Sequence, residues 1–317
     1  MTTADSRPMI ELRHLHRFFG PTRAVDDVSF EVHAGQVFGY IGPNGAGKTT
    51  SMRILATLDL PTAGDAFVDG FSVVNDPDRV RRRLGFMPDY FSTYSNINVV
   101  EYLDFFARAY NLRGDHRRSA VASVMEFTGL DVLAEKPIDG LSKGMKQRLC
   151  LGRALIHDPA VLVLDEPAAG LDPRARIELR LMIRKLADRG KAVLISSHIL
   201  TELAEMCDTV GIIERGSLVA VGSVAEIQRQ IQTVHRTVEV RVLDGQDRLA
   251  AWLAERPDVS QVVPENSLLR FVHAGTQADE ADLLKAMILA DFRVIAFGSR
   301  QQSLEDVFLE VTRGLVQ

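Results

Sequence analysis

The sequence predicts an α/β fold followed by a smaller α+β unit, and three observations support this. Residues 9 to about 222 alternate apolar strand-like runs with amphipathic segments. One of these runs, 160–164, is continuously apolar, and 191–196 is apolar between Lys191 and Ser196, as expected for central strands buried on both faces. After about residue 232 the pattern changes to shorter strands and helices. We therefore divide the chain into a domain at 9–232 and a small α+β domain at 233–317.

Apolar periodicity predicts the elements of the first domain. Strands are predicted at 24–32, 36–41, 160–164 and 191–196, with a hairpin at 209–222. Helices are predicted from Thr50, over 98–112 and 119–127, from Ser142 to about His157, and over 223–232. This order is that of a layered α/β domain.

The second domain mixes short strands with two helices. Strands are predicted at 237–243, 259–263, 268–272 and 292–297, and helices at 247–255 and 278–290. The end of the chain, 302–310, predicts an amphipathic helix whose apolar face packs on this domain or on a partner subunit.

Composition and charge narrow the function classes. The formal net charge is −5, which argues against nucleic acid as a partner. The sequence has no run of 18 or more apolar residues and no apolar signal core near Met1, so we expect a cytosolic chain that reaches a membrane only through another polypeptide. Its two cysteines, Cys150 and Cys207, are expected to be buried free thiols.

A glycine-rich segment between a predicted strand and a predicted helix matches G-x-x-x-x-G-K-[ST] and is called the phosphate loop here. It consists of Gly42, Pro43, Asn44, Gly45, Ala46, Gly47, Lys48, Thr49 and Thr50. Glycines let successive backbone N–H groups converge on one anion, and the following helix directs its positive end there. Lys48 is expected to reach the β- and γ-phosphates, and the Thr49 hydroxyl to bind Mg²⁺.

Two further segments carry polar residues suited to the same chemistry. The apolar run 161–164 ends in Asp165 and Glu166, which are placed to hold Mg²⁺ and to polarise an attacking water, respectively. Ser142 is a good helix N-cap, and Gly144 allows close approach of the backbone, so this helix start is a second candidate phosphate site.

Taken in order, these motifs resemble the nucleotide-binding domain of an ABC (ATP-binding cassette) transporter. The resemblance covers residues 9 to about 222 and rests on the phosphate loop, the Leu-Ser-x-Gly signature segment at 141–148, the strand with Asp165 and Glu166, the loop at 170–173 and Ser197-His198. It implies a P-loop NTPase fold of ABC type, with a mixed sheet core, an antiparallel β subdomain and a helical subdomain at about 90–158.

The resemblance also implies a mechanism. Two copies pair head to tail, and each ATP lies between the phosphate loop of one copy and the signature segment of the other. Ser142 and Gly144 would then contact the γ-phosphate held by Lys48 of the second copy. His198 would sense that phosphate and Asp172 would lie at the dimer seam. Phe19 falls where family members stack an aromatic ring on adenine, with Phe18 as the alternative.

The chain departs from the family pattern at two places. Asp89 stands where the family usually has Gln, so it adds a negative charge near Asp165 and Glu166 and becomes a candidate metal-site residue. The signature segment reads Ser-Lys-Gly-Met, with Lys143 and Met145 replacing the usual Gly and Gln. Because the serine and the second glycine are kept, we expect an active site.

These features indicate the ATP-hydrolysing subunit of a bacterial ABC transporter that powers a separately encoded membrane permease. The tail at 302–310 resembles exporter subunits for drugs, antibiotics, lipids or polysaccharides. The chain is expected to lie peripherally on the cytoplasmic face of the cell membrane, and the permease selects the substrate. Alternatives are a soluble ABC ATPase acting in translation or DNA repair, and a nucleotide-dependent regulator without turnover.

Overall fold

The structure, a computed structural model, describes residues 7–90, 96–199, 203, 206–223, 225–227, 236–265 and 268–299. These residues fall into two compact units, one within Met1–Val224 and the other within Ala225–Gln317. In chain order the first contains β1 (Ile10–Phe19), β2 (Thr22–Val32), β3 (Val37–Ile41), α1 (Lys48–Leu55), β4 (Ala63–Val68), β5 (Phe71–Ser72), α2 (Pro77–Arg83), β6 (Leu84–Met87), α3 (Val99–Ala109), α4 (Gly114–Thr128), α5 (Lys143–Leu155), β7 (Val161–Leu164), α6 (Pro173–Asp188), β8 (Ala192–Ser197), β9 (Thr209–Glu214) and β10 (Ser217–Gly222).

The main sheet of the first unit has six strands in the order β10–β9–β3–β8–β7–β6. All neighbours pair in parallel except β9 and β10, which form the predicted antiparallel hairpin. Strands β3, β7 and β8 are buried along their whole length, which explains their continuous apolar sequences. Because the carboxyl ends of parallel strands meet at one edge, the segments that follow β3, β6, β7 and β8 lie together.

A second sheet of four strands, β2–β1–β4–β5, is antiparallel. Its buried residues, among them Ile10, Val28 and Val68, share one hydrophobic core with Phe38 and Leu194 of the main sheet. The sequence predicts β2 but neither β1 nor β4. The pairing of β1 with β2 shifts register between Leu12 and Phe18, and these irregularities break the alternation by which a strand is recognised.

Helices α3, α4 and α5 form the helical subdomain. Helix α3 begins with a reciprocal capping box, in which the Asn98 side chain accepts from the Glu101 N–H and the Glu101 carboxylate accepts from the Asn98 N–H. Helix α4 ends at Gly129, whose φ of 63° is the left-handed conformation that favours glycine. Beyond the end of α5, the His157 ring stacks on Tyr110 with 3.7 Å between ring centroids.

The second unit is a four-stranded antiparallel sheet with two helices. Its elements are β11 (Arg236–Val242), α7 (Gln246–Ala254), β12 (Val259–Glu265), β13 (Leu268–His273), α8 (Gln277–Leu289) and β14 (Val294–Ser299), and the strand order is β12–β13–β11–β14. Val240, Phe271, Leu253 and Met287 pack in one core between sheet and helices. The predicted α+β class is confirmed. The last strand begins at Val294 rather than Phe292.

Part of the sequence prediction falls outside the described residues. Of the helix predicted over 223–232, residue 223 is described and is not helical, whereas residues 225–227 are described and are helical. The predicted helix at 302–310 lies wholly outside the described residues.

The described residues show how the chain stands on membrane-spanning helices and on its two cysteines. Among the described residues, no helix combines the length and apolarity that a membrane span requires. Cys150 and Cys207 are both free thiols, as predicted, although Cys207 is only partly buried. Burial raises the pKa of the Cys150 thiol to about 11 and also raises the pKa of Cys207, so both thiols are held in the protonated form.

Candidate active site

The phosphate loop lies between β3 and α1, and its glycines are required by close backbone packing. A Cβ on Gly42 would lie 2.3 Å from the carbonyl oxygen of Ile213, and a Cβ on Gly47 would lie 2.3 Å from that of Ala24. Gly47 also has a φ of 109°, which L side chains rarely adopt. The helix begins at Lys48, two residues earlier than predicted, so its free N–H groups start within the motif.

A turn from the β9–β10 hairpin holds the phosphate loop in place. The Gly216 N–H donates to the Ala46 carbonyl at 3.0 Å, and the Gly216 carbonyl accepts from the Asp26 N–H at 2.8 Å. This turn therefore ties the loop to β2 by two backbone hydrogen bonds. The sequence shows only a turn at 214–217, and nothing in it reveals which loop the turn contacts.

Lys48 is buried and bound to its own loop. Its Nζ donates to the carbonyl of Gly42 at 2.6 Å and to that of Pro43 at 3.2 Å, and lies 3.5 Å from Glu166 Oε1. Burial lowers the pKa of Lys48, and the neighbouring Glu166 carboxylate opposes that effect. The ammonium group thus has partners that an incoming anion can replace.

Asp165 follows β7 and is fully buried, with 0% of its surface exposed. Its Oδ1 accepts a hydrogen bond from the Ser196 hydroxyl at 2.6 Å, while Oδ2 is buried and has no hydrogen-bond partner among the described residues. Burial raises the pKa of Asp165, and the charges of Asp89 and Glu166 act in the same direction. A buried carboxylate oxygen without a partner indicates that something else pairs with it.

Glu166 is held in an unusual backbone conformation, with a φ of 48°. Such a φ is costly for a residue with a Cβ and persists only where surrounding contacts enforce it. Here the Glu166 N–H donates to Ser196 Oγ at 2.9 Å, and Glu166 Oε2 lies 2.9 Å from His198 Nδ1. The structure therefore brings Lys48, Glu166 and His198 together.

Ser196 is the residue that sequence reasoning missed. Its hydroxyl accepts from the Glu166 N–H and donates to Asp165, so a single side chain at the end of β8 positions both acids. The only sequence signal is a serine at the end of a buried strand, and that signal is shared by many residues without this role.

The cleft above the phosphate loop is small and is called the loop cleft here. It has a volume of about 170 Å³ and is lined by Ala24, Asn44–Thr50, Asp89 and Glu166. Sites that enclose a small molecule usually measure about 300–1,000 Å³. The charged side chains that line it are Lys48, Asp89 and Glu166, with Asp165 buried behind them. The loop cleft thus has the residues of a phosphate site and too little volume to enclose a nucleotide.

The signature segment does not line the loop cleft. Ser142 caps α5, as predicted, by accepting from the Met145 N–H at 3.3 Å. Gly144 lies against α6, where an added Cβ would be 3.3 Å from the Ala175 Cβ. Asp172 caps α6 by accepting from the Ala175 N–H at 2.9 Å. Within one chain, these residues contribute to helix starts, and none of them lines the loop cleft.

The two candidate aromatic residues also lie outside the lining of the loop cleft. Phe19 is 47% exposed at the end of β1, with the Arg17 guanidinium 4.3 Å from its ring centroid. Phe18 is partly buried and packs edge-on against His16 at 5.7 Å. The exposed ring of Phe19 is the more accessible of the two.

Comparison with family models supports the resemblance seen in the sequence. Residues 25–169 match the model of the family described as ABC transporter. Residues 222–312 match a second model, described as the C-terminal domain of ATP-binding proteins like DrrA1-3. The two matches cover different parts of the chain, one in the α/β unit and one chiefly in the α+β unit.

Whole proteins and a solved structure agree with these matches. The chain is 36% identical to the uncharacterized ABC transporter ATP-binding protein YxlF of Bacillus subtilis (strain 168), over 96% of this chain and 99% of that protein. It is 34% identical to the Nod factor export ATP-binding protein I of Ralstonia nicotianae, over 97% and 94% of the two chains. A solved ATP-binding subunit of an ABC transporter superposes with a TM-score of 0.64 at 28% identity, covering 71% of this chain and 93% of that one.

The fold class and the family resemblance are thereby confirmed. The chain has relatives along almost its whole length, and its phosphate loop carries Lys48 beside Glu166. Together these observations identify the chemistry as that of an ATPase. The chain belongs to the ATP-binding proteins of ABC transporters.

Proposed function

We propose that this chain is the ATP-hydrolysing subunit of a bacterial exporter and works as a head-to-tail dimer on a separate membrane permease. The observation that carries the proposal is the contact of Lys48 with Glu166 and of Glu166 with His198, directly above the phosphate loop. The names of the relatives support export, since one of them is a Nod factor export protein.

ATP binding on this site begins with the phosphate loop. The N–H groups of residues 44–50 surround the β- and γ-phosphates, and the N-terminus of α1 adds its positive dipole end. Lys48 exchanges the carbonyls of Gly42 and Pro43 for phosphate oxygens. That exchange also weakens its contact with Glu166, because one ammonium group cannot keep all these partners.

The residues near the loop cleft fit a magnesium ion held together with the phosphates. Asp165 Oδ2 is a buried oxygen without a hydrogen bond from any described residue, and the Thr49 side chain lines the loop cleft. No group of three or more His, Cys, Asp or Glu side chains in the described chain could hold a metal alone, which agrees with the preference of Mg²⁺ for one or two carboxylates plus substrate phosphates. Thr49, Asp165 and Asp89 would hold the ion, which neutralises charge on the phosphates.

Glu166 is placed to act as general base on the attacking water. When Lys48 turns to the phosphates, Glu166 Oε1 becomes free to accept the proton of that water, while Oε2 stays with His198 Nδ1. His198 thus orients the base through one ring nitrogen and presents the other to the γ-phosphate. Ser196 keeps the Glu166 backbone in place during the step.

A second copy would complete the site. The loop cleft measures about 170 Å³, and Ser142 and Gly144 do not line it, so one chain does not surround a nucleotide. In a head-to-tail dimer the helix start at Ser142 approaches the γ-phosphate bound to the other copy, with Asp172 at the seam. Phe19, exposed at the end of β1, would stack on the adenine.

A groove at the border of the helical subdomain suits the permease. Its volume is about 820 Å³, and it is lined by residues from α2, β6, α3 and α5 and from the turns that follow α1 and α3. Phe86, Phe106 and Tyr110 give it an apolar wall, while Arg82 and Arg153 favour acidic residues of a cytoplasmic permease helix. Since β6 leads directly to Asp89, a helix seated there contacts an element of the ATP site. This attachment would place the chain peripherally on the cytoplasmic face of the membrane.

The domain at 233–317 is proposed to tune dimerisation or ATPase activity. The match of residues 222–312 to a C-terminal domain of ATP-binding proteins supports a role within the same assembly. Removal of 233–317 is expected to change the dimer fraction or the ATPase rate. A truncated chain with unchanged mass in solution, ATPase rate and transport would refute this role.

The experiment that tests the proposed function compares wild type with Glu166→Gln. Loss of the base is expected to lower the ATPase rate by about 10²-fold or more, while Mg-ATP binding is retained. Glu126→Gln, which changes an exposed glutamate of α4, is the matched control and should leave both quantities unchanged. A wild-type protein that binds ATP without turning it over, alone or with its permease, would contradict the proposal and favour a regulator.

A further inference from the structure

Asp89 lies at the same sheet edge as the two acids of the ATP site. It follows β6 by two residues, as Asp165 directly follows β7, and these neighbouring strands run parallel. The register is fixed next to the site by the Asp165 N–H, which donates to the Met87 carbonyl at 2.8 Å. As a result Asp89 lines the loop cleft together with Lys48 and Glu166.

The Asp89 carboxylate has no neutralising partner among the described residues. Its Oδ1 accepts from the Tyr90 N–H at 2.8 Å, and no described lysine, arginine or histidine forms an ion pair with it. Among the described residues, Lys48 is the only cationic side chain that lines the loop cleft, and it already lies 3.5 Å from Glu166. Two carboxylates, those of Asp89 and Glu166, therefore line the loop cleft with one ammonium group, and a third, that of Asp165, is buried in the adjoining sequence.

We infer that Asp89 makes this site selective for the metal complex of the nucleotide over the metal-free nucleotide. The inference rests on the proposed function, because it concerns the form in which ATP enters that site. A metal-free triphosphate carries about two more negative charges than its magnesium complex. The repulsion from a carboxylate rises in proportion to the charge of the ligand, and since Asp89 is exposed to solvent, this repulsion is strongest at low salt.

An uncharged side chain at position 89 removes this discrimination. The glutamine usual in the family at this position is neutral, so it would tolerate metal-free nucleotide better than Asp89 does. Asp89 thus weakens the binding of nucleotide that carries no metal ion. The phosphate loop and Lys48 attract both forms of the nucleotide. A fixed charge in a cleft gives specificity in this way, because it repels one form of the ligand more than the other.

The test measures binding rather than turnover. The dissociation constant of the β,γ-imido analogue of ATP is determined by calorimetry for wild type, Asp89→Asn and Asp89→Gln, once with excess Mg²⁺ and once with EDTA. Asp89→Asn removes the charge at nearly constant volume, and Asp89→Gln installs the family residue. Asp115→Asn is the matched control, since it removes an exposed carboxylate of α4 that pairs with Arg118.

We expect wild type to bind the analogue much more weakly in EDTA than in Mg²⁺. Both Asp89 variants should tighten binding in EDTA by about tenfold and, because Asp89 also helps to hold the ion, should not tighten binding in Mg²⁺, while Asp115→Asn changes neither. If the ratio of the dissociation constant in EDTA to that in Mg²⁺ is the same in wild type and in both Asp89 variants, the inference is overturned. The proposed function would not be affected by that result. Wild type that does not bind the magnesium complex would instead contradict the proposed function.

Discussion

The partly buried imidazole of His157 makes the stability of the first unit depend on pH. Its ring stacks on Tyr110 at the end of α3, with 3.7 Å between centroids and 5° between planes. Its Nε2–H donates to the Leu84 carbonyl of β6 at 3.2 Å, and its Nδ1 is buried without a hydrogen-bond partner among the described residues. Burial lowers the pKa of His157 from 6.5 to about 4.

The sign of the effect follows from proton binding. Between pH 6.5 and about pH 4 the unfolded chain binds a proton at His157 and the folded chain does not, so stability falls as the pH falls through this range and is constant above it. At ~1.4 kcal/mol per pH unit, the free energy of unfolding falls by ~3 kcal/mol between the unfolded pKa and the folded pKa of His157. About 2 kcal/mol of this is lost by pH 5.

The perturbation is His157→Phe, which keeps a ring against Tyr110 and has no group to titrate. The free energy of unfolding is measured for wild type and variant by urea denaturation, followed by far-ultraviolet circular dichroism, at pH 7.5 and pH 5. Loss of the hydrogen bond to Leu84 costs the variant ~1 kcal/mol at both pH values. The advantage of wild type over the variant is therefore expected to fall by about 2 kcal/mol between pH 7.5 and pH 5.

His116→Gln provides the control, because His116 is exposed on α4 of the same subdomain. Its free-energy difference from wild type should be the same at both pH values. If the difference in free energy of unfolding between wild type and His157→Phe is also independent of pH, the prediction is wrong. That result would mean that burial does not suppress protonation of the ring.

The remaining predictions concern the site. Gly216→Ala places a Cβ 2.8 Å from the Arg23 carbonyl at a φ of 88°, so it should weaken nucleotide binding by about tenfold. Gly190→Ala, with a φ of 85° and open space around it, should cost similar stability without changing affinity, and equal affinities for the two variants would contradict the role of the turn. Ser196→Ala should lower kcat by roughly 10–100-fold and change the nucleotide dissociation constant by less than about threefold. Ser196→Thr should restore most of kcat, and a loss confined to affinity would argue against positioning of the two acids.

The sequence predicts the elements whose environment is uniform. Strands β7 and β8 are recognised because every residue is buried, and the parallel order of strands brings the segments after them to one edge. Helix α5 is recognised because Ser142 caps it in the manner expected of an N-cap serine. Local chemistry is sufficient in these cases.

Contacts between distant segments are beyond a single sequence. The role of Ser196 depends on β8 lying beside β7, and the role of Gly216 depends on a hairpin turn reaching the phosphate loop. Both are set by the register of strand pairing, which no local pattern encodes. Similarly, the sequence predicts a strand from Phe292, whereas Phe292 lies before β14 and packs against Trp252, with 5.7 Å between ring centroids.

In the proposed head-to-tail dimer each ATP site is shared between two copies of the chain. Lys48→Ala disables the phosphate loop, and Ser142→Ala disables the signature segment, so each variant alone should have almost no ATPase activity. In an equimolar mixture about half of the dimers combine the two variants, and each such dimer has one site with both Lys48 and Ser142 intact. Mixing is therefore expected to recover about a quarter of the wild-type rate. A mixture as inactive as the separate variants, or a Ser142→Ala variant with full activity, would contradict a shared site.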